Sequence, residues 1–244
     1  MRIYIERDAT TRGSDTGFSP RRVVEQLEGP RAGKSLLAMY DAGDVGVGVE
    51  VGVVAGKSAT LPDSGVGVGL MTTIRPEDQD APAMAWGSAA WDWLNARVAA
   101  AEEAWSGHPG PRWVWPRVGA AAAPEVLSDV PSLRRFLKDR EGRDWRFVLD
   151  PVGMLADSMM SNAEEHVKRV LEMLGSHEAC GAVVLCDVTV DARNEQTFRV
   201  PIGAGELSRR GLLDWWRGNC PAETPVILGS DASLAAQVGW LTSG

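Results

Sequence analysis

The sequence predicts an α/β fold: a parallel sheet covered by helices and closed as a (β/α) barrel of TIM type, irregular in its N-terminal half. Three observations carry that prediction. The chain has 244 residues, a length at which α/β barrels run as one domain, so residues 1–244 are read as a single unit. From residue 112 onward, short continuous apolar runs alternate with amphipathic helical patterns. Runs of that kind are buried on both faces, as parallel strands under helices are. Residues 42–75 instead alternate Val with Gly or Glu, which suits paired strands and leaves no room for a full helix. A doubly wound open sheet is the second architecture that this pattern allows.

The elements follow in order. Ile3 and Ile5 alternate with polar neighbours as a first strand. Ser19-Pro20 reads as a cap and N1 proline opening a short helix through Val23, Val24 and Leu27. Ser35 to Tyr40 is a buried strand. Val45 to Val53 and Val66 to Leu70 read as a hairpin or as adjacent strands. Trp91, Leu94, Val98, Ala101 and Trp105 form one stripe of a helix from Ser88. Arg112 to Pro116 is a strand, Pro131 opens a helix with Leu133, Phe136 and Leu137, and Trp145 to Leu149 is the next strand. Ser161 and Glu164 have the spacing of a capping box before a helix that Gly175 ends as a C′ residue. Gly181 to Cys186 is a strand, Leu212 to Trp216 lies on a helix, and Pro225 to Leu228 is the last strand. Asp231 caps a final helix.

Composition removes several function classes. Hydrophobic residues make up 44% and charged residues 24%, the balance of a globular chain rather than a disordered one. The net charge of −8 and the lack of a dense Lys/Arg run exclude a nucleic-acid partner, which needs a basic face against phosphates. No run is long enough to span a bilayer, and the first residues lack the apolar core of a signal peptide. Cys180, Cys186 and Cys220 form no CxxC pair and read as reduced thiols of a cytoplasmic protein.

Chemistry on such a fold sits in the loops at the carboxyl ends of the strands. There the sequence places Arg117, Asp150, Asp187 and Asp231. Asp150 and Asp187 are the candidate catalytic carboxylates. Arg117, Arg199 and Asp231 are candidate substrate-binding residues, because carboxylates with Arg partners hydrogen-bond hydroxyls without a metal. Trp115, two residues before Arg117, offers a stacking face for a sugar. The other reading of each Asp is a turn residue or helix cap.

Five segments together resemble a known family. They are Phe147-Val-Leu-Asp-Pro-Val-Gly-Met-Leu155, the helix from Ala163, Val184-Leu-Cys-Asp187, Val200-Pro-Ile-Gly-Ala-Gly-Glu-Leu207 and Pro225-Val-Ile-Leu-Gly229. In order and spacing they are similar to the second half of xylose isomerase-like TIM barrels. That resemblance implies a sugar isomerase or epimerase, and a divalent metal held by a Glu, an Asp-x-x-His, a His and a final Glu. Here the fifth strand offers Trp113, Val114 and Trp115. The Asp-x-x-His reads Asp150-Pro151-Val152-Gly153, the seventh-strand His position is Val184, and the last Glu position is Gly229. One ligand of four remains, and one carboxylate cannot hold a divalent ion in a defined geometry. The expectation is a divergent sugar isomerase/epimerase-like barrel with no metal or other cofactor and a small carbohydrate or polyol as its partner. The alternative is a non-catalytic binding or scaffold protein on the same fold.

Overall fold

Strands form where β-branched and aromatic residues run together, and helices where an apolar stripe recurs every three or four residues. The computed structural model describes residues 3–8, 22–26, 35–41, 67–75, 78, 80–119, 122–191, 196–228 and 234–242. In chain order the elements are β1 (Ile3–Asp8), β2 (Arg22–Gln26), β3 (Ser35–Asp41), β4 (Gly67–Met71), α1 (Ser88–Ala104), β5 (Arg112–Val114), α2 (Val130–Lys138) and β6 (Trp145–Leu149). A 3-10 turn (Asp157–Asn162) then leads into α3 (Ala163–Leu174), followed by β7 (Cys180–Leu185), β8 (Asp187–Asp191), β9 (Gln196–Val200), α4 (Arg209–Asn219), β10 (Val226–Leu228) and α5 (Leu234–Thr242). This alternation of parallel strands and helices is an α/β, TIM-barrel-like fold.

Two compact units interleave along the chain. One comprises Met1–Glu6, Glu25–Lys34 and Phe147–Gly244; the other comprises Arg7–Val24 and Ser35–Arg146. In the first, β1, β10, β7 and β6 lie side by side, all parallel. Ile3, Val226, Val183 and Leu149 form one row across the sheet. Phe147, Val148, Leu149, Val183, Val226 and Ile227 are fully buried, as continuous apolar strands covered on both faces should be. The register slips between Phe147 and Val148, so that Gly181 of β7 is passed over as a bulge.

The second unit holds β3, β4 and β5, again parallel, with Tyr40, Leu70 and Val114 in one row. The stripe expected on α1 is the face it buries: Trp91, Leu94, Val98 and Ala101 are all in the core. Asp129 caps α2, its side chain accepting from the Ser132 N–H at 2.8 Å. The Arg135 guanidinium lies over the Trp91 ring at 4.1 Å, joining α2 to α1.

Several local expectations are corrected. Val23 and Val24 lie in strand β2, not in a helix, because two adjacent β-branched residues favour a pleated backbone over a short helix. The Ser161–Glu164 capping box does not form. Ser161 falls inside the 3-10 turn, Asn162 is the N-cap, and the Glu164 carboxylate accepts instead from the Ser208 N–H at 2.7 Å. That bond ties the start of α3 to the residue that caps α4. Gly175 is right-handed (φ −61°), so its role is steric, not conformational. A Cβ there would sit 2.9 Å from both the Asn219 carbonyl oxygen and Cys220 Sγ. The antiparallel pair β8–β9 was not anticipated. The Val45–Val53 strand and the Asp231 cap lie outside the described residues.

Candidate functional site

β6 and β7 are parallel neighbours, so the residues that follow them emerge at one end of the sheet. Asp150 directly follows β6 and is completely buried. Its Oδ1 accepts from the Gly153 N–H at 2.8 Å, and its Oδ2 pairs with Arg199 Nη1 at 3.3 Å. The guanidinium arrives from β9. The side chain of Arg199 remains 27% exposed above a carboxylate that is not exposed at all. The loop after Asp150 is held from behind by His166 of α3, whose imidazole donates to the Pro151 carbonyl. Burial of that imidazole pushes its pKa below the ordinary histidine value, more strongly than the carbonyl raises it.

Asp187 begins β8, with Cys186 alone between it and the end of β7. Its Oδ1 accepts from the Val188 N–H at 2.8 Å and the Leu207 N–H at 3.0 Å. Its Oδ2 accepts from the Gly203 and Gly205 N–H groups at 3.2 and 3.0 Å. A carboxylate has about four lone-pair sites, and here four backbone amides fill them. The Pro201–Leu207 loop is therefore wound around one side chain. Its glycines are required: Gly203 has φ +85°, and a Cβ on Gly205 would run into the Val188 carbonyl oxygen and the Asp187 carboxylate. Asp187 was expected to act on substrate. In the structure its carboxylate is occupied by the amides of Val188, Gly203, Gly205 and Leu207.

The second unit has its own cluster at the ends of β4 and β5. Trp115 is fully buried, and the Arg117 guanidinium covers its ring at 5.0 Å, so the tryptophan has no open face for a sugar. Arg117 Nε is 3.7 Å from Glu125 Oε1. Glu125 also accepts from the Thr72 N–H and hydroxyl at 3.0 and 2.8 Å and from the Thr73 hydroxyl at 2.9 Å. Burial pushes the Glu125 carboxyl above its ordinary range, against the opposing pull of Arg117 and the threonines. Sequence reasoning overlooked Glu125, Thr72 and Thr73. The position of Thr72 and Thr73, directly after β4, was the signal available.

The residues present do not fit the divalent ion that the resemblance implies. Gly153 stands at the expected His position, and a Cβ there would lie 2.5 Å from the Asp150 carboxyl carbon. No side chain can extend from that point while Asp150 keeps its place. Val184 is buried in the sheet. Among the described residues, no group of three or more His, Cys, Asp or Glu side chains is placed to hold a metal. Asp231 and Gly229 lie outside the described residues.

No protein-family model matches the chain, and no curated protein does. Among solved structures it is similar to 3-keto-D-glucoside 4-epimerase, YcjR, from E. coli, at 14% identity and a TM-score of 0.48, covering 74% of this chain and 64% of that one. It is also similar to a xylose isomerase domain protein from Planctomyces limnophilus, at 14% identity and a TM-score of 0.45, covering 72% and 57%. A third is an L-ribulose 3-epimerase, at 13% identity and a TM-score of 0.44, covering 73% and 53%. This chain spans less than two thirds of the length of each. Among the described residues, no helix is long and apolar enough to cross a membrane.

Proposed function

We propose that the chain binds a small carbohydrate or polyol at the end of the β6–β7 sheet, as a divergent sugar isomerase/epimerase-like protein. The observation that carries this reading is the Asp150–Arg199 pair: a buried carboxylate directly after β6, met by an arginine that the β8–β9 ribbon brings to the same strand end and whose side chain is 27% exposed. A guanidinium offers several donors in one plane, which suits adjacent hydroxyl oxygens. Asp187 acts on that site indirectly, by fixing the Pro201–Leu207 loop. Asp231 lies outside the described residues and remains, on its sequence position alone, a further candidate hydroxyl ligand. Arg117 and Trp115 are given no part in it, since they are engaged with Glu125 and with each other.

One observation favours the non-catalytic version of this reading. Asp150 is paired with Arg199 and Asp187 is saturated by amides, so both carboxylates are already engaged by the protein itself. The thiols do not replace them. Burial pushes both Cys180 and Cys220 up to about 12, far from a reactive thiolate. Three reduced cysteines, none in a disulfide, agree with a cytoplasmic setting.

The test is a calorimetric screen of neutral sugars, polyols and sugar acids against the full chain, repeated with Arg199→Gln and Asp150→Asn. Binding that weakens at least about tenfold in both variants, the size of losing a hydrogen bond to a charged group, supports the site. A ligand that binds all three proteins equally would sink it. Deuterium incorporation into a bound sugar in heavy water would decide for catalysis over binding alone.

A further inference from the structure

We infer that Arg199 is the built-in cation of the Asp150 site, standing where a metal-dependent barrel would hold a divalent ion, and that this site takes its ligand without a metal. Three independent features lead there. The only surviving ligand of the expected metal set, Asp150, already has a cation on Oδ2, at 3.3 Å. The neighbouring ligand position is closed by geometry as well as by residue type, because the Asp150 carboxylate fills the space a side chain on residue 153 would need. The next carboxylate along, Asp187, cannot turn towards a metal without stranding four backbone amides.

The structure also shows where the substituting charge comes from. β8 and β9 form an antiparallel ribbon inserted between β7 and α4, with Val188 opposite Arg199. The ribbon begins at Asp187 and brings Arg199 back to the same end of the sheet. A guanidinium is charged at every physiological pH and has a fixed planar shape. It polarises an oxygen through directed hydrogen bonds, whereas a divalent ion does so by coordination and by acidifying bound water. The substrate class follows: a ligand held by its hydroxyl or carbonyl oxygens through N–H donors, with no chelating geometry required.

The inference concerns the site assigned above, but its test uses no carbohydrate, so either reading can fail while the other stands. The full chain, dialysed against a chelator, is titrated with Mn2+ and followed by calorimetry and by the manganese spin-resonance signal. Thermal unfolding is measured with and without the metal for the wild type, Arg199→Gln, Asp150→Asn and the double variant. No stoichiometric Mn2+ binding and an unchanged wild-type Tm are expected. Arg199→Gln should lower Tm by about 5 °C or more, and the double variant should lose clearly less than the two single losses added. Arg199→Lys, which keeps the charge, should retain most of the wild-type Tm and covers the case in which Arg199→Gln does not fold. Stoichiometric Mn2+ binding that Asp150→Asn abolishes would overturn the inference. Strictly additive losses at the two positions would overturn it as well, as would an Arg199→Lys variant as unstable as Arg199→Gln.

Discussion

Two strand ends in this chain solve the same problem in different ways. At the end of β4 and β5, the Glu125 carboxylate is met by the Thr72 amide, two threonine hydroxyls and Arg117, and the cation side chain is only 10% exposed. At the end of β6, the contacts of Asp150 include the Gly153 N–H and Arg199, whose side chain is 27% exposed. Both carboxylates are buried and both have an arginine. The difference lies in what surrounds the arginine. Arg117 sits on the fully buried Trp115 and belongs to a closed network. Arg199 sits on a two-stranded ribbon, and its side chain is 27% exposed although Nε and Nη2 are themselves buried. A buried ion pair that is sealed stabilises or specifies the fold, and one whose arginine side chain reaches the surface lies closer to any ligand that docks there.

Substitutions should separate the two strand ends. The largest effect should come from Asp187→Ala, which leaves four amides without an acceptor. Urea unfolding should show a loss of about 4 kcal/mol, and wild-type stability would mean that the Pro201–Leu207 loop is held by something else. Glu125→Ala should cost about 3 kcal/mol, because it strands Arg117 and both threonines, yet it should leave ligand binding at the Asp150 site unchanged.

The pH dependence of Glu125 has a definite sign. Its folded pKa is raised above the 4.5 of the free side chain, so the stability linked to its protonated form is present at low pH and lost as pH rises through the folded value. Relative to the wild type, Glu125→Gln should therefore gain stability as pH climbs above about 4.5. The smallest effect belongs to His166. Its folded pKa is lowered from 6.5, so the unfolded chain binds the proton first and wild-type stability falls as pH drops below that value. His166→Gln should flatten this acid slope by under about 1 kcal/mol between pH 7 and 5, measured by unfolding at a series of pH values.

Elements with a strong period were legible in the sequence. The Trp91–Trp105 stripe, the β6 and β7 runs and the α3 face all lie where periodicity placed them, because burial on a known face is what the period encodes. Caps were less legible. Glu164 had the spacing to close on Ser161, but a partner 44 positions away in the chain, the Ser208 amide, took it. Local spacing cannot reveal such a competitor. The ribbon was legible in part: Asp-Val-Thr-Val-Asp and Gln-Thr-Phe-Arg-Val each alternate, the pattern of a half-exposed strand. It was hidden by the expectation that every strand in a βα repeat is followed by a helix. Of the site, Asp150 and Arg199 were both picked out, but nothing in their positions, 49 residues apart, showed that they meet. The role of Asp187 was not legible either, since its four partners are backbone amides, which carry no sequence signal.

The ribbon has one more property. Its first and last residues, Asp187 and Val200, stand opposite each other, so the insertion leaves and re-enters the repeat at the same place. A segment with touching ends can be exchanged like a cassette, since the host unit need not stretch to receive it. Grafting ribbons of other lengths and sequences between Cys186 and Pro201 would thus vary the chemistry offered at this strand end while β7 and α4 keep their seats, provided the residue at 187 remains an aspartate.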